Sequence, residues 1–332
     1  MKNHKKIIIF FSVLVLLTTI FIYHNLDFYF LRSKTALEKN NLQCITGLSS
    51  QSYDPQLIKH FGIINVFLAW QDKFPKSISS KLNQKQILMI TWEPYLNDPQ
   101  APSILQDILD HKYDDLIQEF ALNLKEYQKP VLLRWGHEMN SDWYSWSGMY
   151  NDRNSKVYIK TFQYIHHIFQ QLNCDNVKFV FSVNAQDIPA KKWNRFENYY
   201  PGDKYVDIIG LDAYNWGTTQ KWHRFFRSRW TNPKKMLRKP YERIIQSFPS
   251  KPIILTEIGT TSQGGDKQKW LENFFQILPQ RFKAIKGFVW FDIIKETDWA
   301  ISSNAKNWNL YRQQTNNDYF TYDHKDIRWL IK

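Results

Sequence analysis

Cysteine is scarce in this chain: Cys44 and Cys174 are the only two in 332 residues. Neither belongs to a CxxC or other metal-ligand spacing, so two free, buried thiols are expected and a metal framework is not. No Gly-rich loop follows the first apolar run, which removes the main signal for a dinucleotide-binding, doubly wound sheet. No Pro/Gly/Ser-rich linker, low-complexity tract or repeat interrupts the chain after residue 41. One domain is therefore expected, from about residue 42 to the end. The formal charge is +13, yet a long basic tract is missing; Lys191-Lys192 and Lys234-Lys235 are typical of its small clusters. A nucleic-acid partner is not expected without a recognition motif. General solubility or closeness to an anionic surface accounts better for the excess.

One long uncharged run is present, Ile7–Tyr23, after the basic opening MKNHKK. No small-residue cleavage site follows it. The expectation is a cytoplasmic tail at 1–6, a transmembrane signal anchor at 7–23, a polar linker at 24–41 and an extracytoplasmic domain at 42–332. This single-pass anchoring in the cell membrane has one alternative, secretion after signal cleavage.

Aromatic residues are abundant, with 14 Trp, 18 Tyr and 23 Phe. That exceeds what a core usually needs, and surplus Trp and Tyr suit clefts for flat amphipathic ligands such as sugars. Eight short apolar runs recur, at 44–49, 62–70, 86–94, 131–138, 177–183, 206–214, 252–259 and 285–292. Helical patterns lie between many of them, at 113–127, 155–172 and 240–248. Near-continuous apolar runs suit parallel strands covered on both faces. Eight such units in one domain predict a (β/α)8 TIM barrel.

Function on such a barrel gathers at the C-terminal strand ends. There stand Trp70, Trp92-Glu93, His137-Glu138, Asn184, Asp212 with Tyr214, Glu257, and Trp290 with Asp292. Glycoside hydrolysis needs two carboxyl groups flanking one bond. Strands four and seven face each other across the barrel, so Glu138 and Glu257 can meet in one cleft. Alternation along strands places Arg134, Gly136 and Glu138 on one face, Ile253, Leu255 and Glu257 on another, and Gly210, Asp212 and Tyr214 on a third. Tyr214 can then donate to Glu257. Arg134 reads best as the partner of Glu93 and Asp212 in a structural set. His137-Glu138 does not open a HExxH zinc site, because residue 141 is Ser and the segment reads as strand. His166-His167 lies on a helix without partner ligands and reads as packing. Trp92, Trp143 and Trp299 each read equally as core or as sugar platforms.

The segment LLRWGHEMNSDWYSW resembles the acid/base segment of glycoside hydrolase family 26, a family of β-mannanases and related β-glycanases. IILTEIG resembles its nucleophile strand, DIIGLDAY the strand that supplies a tyrosine, and FDIIKETDW its eighth strand and following loop. The resemblance covers nearly all of residues 44–332. It implies Glu138 as acid/base, Glu257 as nucleophile and retention of configuration. His137, Trp143, Tyr214 and Trp299 would line the subsites, with Trp92 and Asn140 completing the expected substrate-binding set. No cofactor or metal is implied. One departure is Ser141 after Asn140, where the family often has Gly, and TWEP at 91–94 is reminiscent of the β-glucanase branch. The resulting expectation is a retaining endo-β-glycanase, monomeric, acting first on β-1,4-mannan. The alternatives are a β-1,3-1,4-glucanase of the same family and a non-catalytic polysaccharide-binding protein on the same scaffold.

Overall fold

A computed structural model describes residues 43–96, 98, 101–223 and 226–327. The expected tail at 1–6, anchor at 7–23 and linker at 24–41 lie outside the described residues. Among the described residues no helix is long and apolar enough to cross a membrane.

Eight parallel strands close on themselves: β1 (Cys44–Ser50), β2 (Ile63–Ala69), β3 (Ile87–Glu93), β4 (Val131–Trp135), β5 (Val177–Asn184), β6 (Ile208–Asn215), β9 (Ile253–Thr260) and β10 (Ile285–Asp292). Closure comes from β10 pairing with β1, from Ile45 opposite Gly287 to Ser50 opposite Asp292. A two-stranded hairpin, β7 (Lys221–His223) and β8 (Phe226–Arg227), sits between β6 and β9 in the chain and pairs outside the barrel sheet. Strands β1, β9 and β10 are buried at every residue. That is why they read as unbroken apolar runs: one face meets the barrel interior and the other the helices.

The helix at Ser155–Gln171 starts where Asn154 accepts a hydrogen bond from the Lys156 amide. The helix expected at 240–248 begins earlier, at Pro233, and runs to Ser247. Asn232 caps it through the Lys235 amide, and Pro233 occupies the first turn, where its missing N–H is not needed. Pro240 therefore lies inside the helix rather than at its start. Helices Lys267–Arg281 and Ala305–Thr315, not singled out in the sequence, are capped by Asp266 and Asn304.

The interior of the barrel is layered. Ile45, Ile63, Ile87, Met89, Leu132, Val180, Ile208, Ile254 and Val289 form a separate apolar cluster fed by all eight barrel strands. Towards the C-terminal ends the inward positions turn polar. Asn65 bonds Ser49 and Thr91, and Thr91 accepts from Arg134. The apolar plug thus supports a polar layer that faces the mouth.

Candidate active site

Arg134 is fully buried within the barrel. Its Nε donates to Ser182 Oγ at 3.0 Å, its Nη1 to Glu257 Oε1 at 2.6 Å, and its Nη2 to Asp212 Oδ2. Thr256 donates to Asp212 Oδ1 at 2.7 Å, and Ser182 lies 2.7 Å from Thr256. Arg134 therefore pairs with Asp212, as the sequence suggests, but it also grips Glu257, which the sequence reading missed. Burial pulls its charge down; Asp212, Glu257 and Glu138 more than offset this and hold it above its usual range.

Glu257 reaches this network by a route that simple alternation does not give. Gly210 and Asp212 of β6 stand opposite Ile254 and Glu257, so β9 spends three residue steps on two of its neighbour's. Opposite β10 the same excess recurs, with Leu255 and Ile258 against Phe288 and Trp290. Ile253 and Leu255 pack in the outer core, while Ile254 belongs to the interior cluster. The expectation that Ile253, Leu255 and Glu257 share a face is thus corrected. A β-bulge turns Thr256 and Glu257 into the barrel consecutively. Tyr214 then donates its hydroxyl to Glu257 Oε2, so both carboxylate oxygens are bound.

Glu138 also departs from the pleat. Strand β4 ends at Trp135, and both Gly136 (φ 54°) and Glu138 (φ 52°) are left-handed. Left-handed backbone is costly for a glutamate and must be imposed by its surroundings. The Glu138 amide donates to Ser182 O at 2.9 Å, and Gly136 N donates to Trp92 O. Trp146 Nε1 donates to His137 O at 2.7 Å, which ties the turn from the other side. The side chain of Glu138 receives the Trp143 indole N–H on Oε2 at 2.9 Å. Burial, then the charges of Asp212 and Glu257, push its carboxyl well above the usual range, against the pull of Arg134. The surroundings of Glu138 thus favour its acid form, whereas Glu257 is bound by a cation and a hydroxyl donor.

The remaining expected residues are placed as follows. His137 is buried, with Nε2 3.1 Å from the Tyr144 hydroxyl and its ring against Tyr144 and Trp146. Burial and Arg134 keep it neutral by lowering its pKa. Trp299 is 1% exposed and packs on Tyr214 at 4.9 Å, so it braces that tyrosine. Trp92 is stacked between Trp70 at 4.2 Å and Phe120 at 4.3 Å and is 0% exposed, which leaves no face for a sugar. Asn140 is also fully buried; its amide donates to Asn184 O, Gln186 O and Asp187 Oδ1, stitching the loop after β4 to the loop after β5. Trp143, Tyr214, Glu138 and Glu257 are thus brought together; Trp92 and Asn140 belong to the packing behind them. Phe67 and Phe291, which the sequence reading passed over, face each other at 6.3 Å beside His137 and Tyr214. Their inward position at the strand ends was the available signal. Cys44 and Cys174 are both free and buried.

The chain is similar to known proteins in sequence and in fold. The model of Glycosyl hydrolase family 26 matches residues 56–238, more than half of the chain. Endoglucanase H of Acetivibrio thermocellus is 34% identical over 256 residues, covering 76% of this chain and 27% of that protein. A mannan endo-1,4-beta-mannosidase of Bacillus subtilis is 26% identical over 229 residues, covering 66% of this chain and 54% of that protein. The chain thus spans about a quarter to a half of the length of these curated relatives. Among solved structures, Bacillus subtilis mannanase man26 superposes with a TM-score of 0.59 at 19% identity, covering 89% of this chain and 91% of that one. The chain belongs to glycosyl hydrolase family 26.

Proposed function

We propose that the chain is a retaining endo-β-glycanase in which Glu257 is the nucleophile and Glu138 the acid/base. The observation that carries this reading is the unequal treatment of two carboxyls in one mouth: Glu257 bound by Arg134 and Tyr214, Glu138 buried beside an indole. Environments that drive two carboxyls apart divide the roles of base and acid between them. Glu257 attacks the anomeric carbon while Glu138 gives its proton to the departing glycosidic oxygen. The resulting ester is then cleaved by water, which returns a proton to Glu138.

A β-glucan takes first place as substrate, ahead of the β-1,4-mannan that the sequence alone puts first. The 34% identity to a protein named Endoglucanase H supports this order, as does the Trp92-Glu93-Pro94 segment. A β-mannan is the second reading, supported by the 26% identical mannosidase. The test is incubation with mixed-linkage β-glucan, β-1,4-mannan and β-1,4-xylan, following viscosity, reducing ends and the first-formed anomer by proton NMR. Fast viscosity loss on β-glucan with the β-anomer appearing first is expected. The α-anomer first would overturn retention; faster cleavage of mannan would reverse the substrate order.

A further inference from the structure

Lys267 opens the helix Lys267–Arg281, which follows β9, and is 6% exposed. Its Nζ donates to Asp298 O at 3.0 Å and to Ala300 O at 2.8 Å. Those are the carbonyls on either side of Trp299, in the loop after β10. Both bonds go to neutral groups, and among the described residues no carboxylate forms an ion pair with this ammonium. Burial outweighs the charges of Asp298 and Asp292 and pulls its pKa down to about 8. A cation in a first turn also opposes the helix dipole. An apolar side chain would avoid both costs. What Lys267 supplies instead is a fixed position for two carbonyl groups.

The segment it grips leads to the candidate nucleophile. The Trp299 amide donates to Ile293 O at 3.2 Å, and the Trp299 carbonyl accepts from Trp290 Nε1 at 3.0 Å. With Lys267, the successive carbonyls of Asp298, Trp299 and Ala300 are all bound. Asp292 accepts from the next two amides, Ile301 and Ser302, so loss of Lys267 shifts the Trp299 segment without releasing the loop. The Trp299 ring lies 4.9 Å from Tyr214 and 4.8 Å from Trp216. Little slack remains there: a Cβ on Gly259 would meet Tyr214 at 3.0 Å and Trp299 at 3.2 Å. Packing this tight passes a shift of Trp299 on to Tyr214. Tyr214 in turn donates to Glu257 Oε2. Lys267 makes no hydrogen bond with Tyr214 or Glu257 itself, so it acts through Trp299.

We propose that Lys267 is a positioning residue for attack by Glu257: its ammonium fixes the backbone on both sides of Trp299, and the Trp299 ring holds Tyr214 against the Glu257 carboxylate. The inference rests on the glycanase reading above. A nucleophile held slightly out of line reacts slowly even when substrate binds as before. Removing Lys267 therefore lowers the rate of attack rather than the affinity for the sugar.

The test follows attack by Glu257 alone, with an activated 2-deoxy-2-fluoro-β-glycoside. Its leaving group departs as Glu257 forms the glycosyl ester, the fluorine slows hydrolysis of that ester, and mass spectrometry times the labelling. Wild type, Lys267→Met, Lys267→Gln, Tyr214→Phe and each Lys267 variant combined with Tyr214→Phe are compared, with circular dichroism and thermal melting to verify folding. Lys267→Met, similar in length but without donors, should label roughly 10–100-fold more slowly, at an unchanged half-saturating concentration. Lys267→Gln, which keeps N–H donors, should regain part of that rate, and it carries the comparison if Lys267→Met does not fold. In the Tyr214→Phe background neither substitution should slow labelling further, because the hydroxyl that Lys267 positions is already gone. Wild-type labelling by folded Lys267→Met, or by Lys267→Gln in its stead, would overturn the inference and leave Lys267 a purely structural group. Multiplying losses in the double variants would overturn it too, by placing the effect outside the Tyr214 contact. If wild type is not labelled at Glu257, the glycanase reading itself falls and this inference falls with it.

Discussion

Arg134 is the guanidinium that Asp212, Glu257 and Glu138 share at the barrel mouth, with Glu93 close by. One cation does not offset the burial of Glu138, Asp212 and Glu93, whose carboxyls are all pushed above their usual range. For Glu138 the causes are burial, then the charges of Asp212 and Glu257. Its acid form is therefore retained well above the ordinary carboxyl range and lost as pH rises through the raised value. We predict that kcat/KM for polysaccharide falls along this alkaline limb. For an aryl glycoside that needs no proton, the limb should vanish; a persisting limb would detach it from Glu138. Glu93 gives a stability prediction. Burial lifts it from 4.5 to about 7. Between those values the folded protein holds a proton that the unfolded chain has released, so stability falls as pH rises through this window. The whole effect is roughly 3 kcal/mol. Melting curves of Glu93→Gln should show a flatter decline over that range, and an unchanged slope would contradict the assignment. Arg134→Met leaves Asp212 and Glu257 without their cation and should cost roughly 3–5 kcal/mol in denaturant unfolding.

At the scale of elements, the strands were legible and their ends were not. All eight barrel strands match apolar runs because parallel strands are buried on both faces. The bulge in β9 left no trace in IILTEIGT: no Pro marks it, and its one Gly lies beyond it. Alternation put Glu257 inside for the wrong reason, and only the register shift explains its position. Likewise Glu138 follows a left-handed turn that a glutamate rarely adopts, so sequence pattern could not reveal it. The proximity of Glu138, Glu257 and Tyr214 was readable from strand ends; the grip of Arg134 on Glu257 was not, since a buried Arg on β4 points to no particular partner. Gly136 tests the turn. A Cβ there would meet Tyr158 Cε2 at 3.2 Å in backbone of φ 54°. Gly136→Ala should cost roughly 1–2 kcal/mol. By moving Glu138, it should also lower polysaccharide turnover by roughly 100-fold. Loss of stability with full activity would show that the turn does not aim Glu138.

At the scale of the whole molecule, the barrel begins at Cys44, some twenty residues after the uncharged run Ile7–Tyr23. We propose that this run keeps the chain in the membrane with the barrel on the extracytoplasmic side, as its flanking lysines imply. The full chain should then fractionate with membranes and keep its N-terminus. N-terminal sequencing that starts between residues 24 and 42 would show cleavage instead.

Azide rescue distinguishes the roles proposed for the two glutamates. Wild type, Glu138→Ala and Glu257→Ala are assayed on an aryl β-glycoside with a good leaving group, with and without azide. Without its proton donor, Glu138→Ala should still form the glycosyl-enzyme, accumulate it, and be rescued by azide to give the β-glycosyl azide. Glu257→Ala should be inactive alone and give only the inverted α-azide. A β-azide from Glu257→Ala, with Glu138→Ala dead under both conditions, would reverse the roles, and wild-type turnover by both variants would end the account.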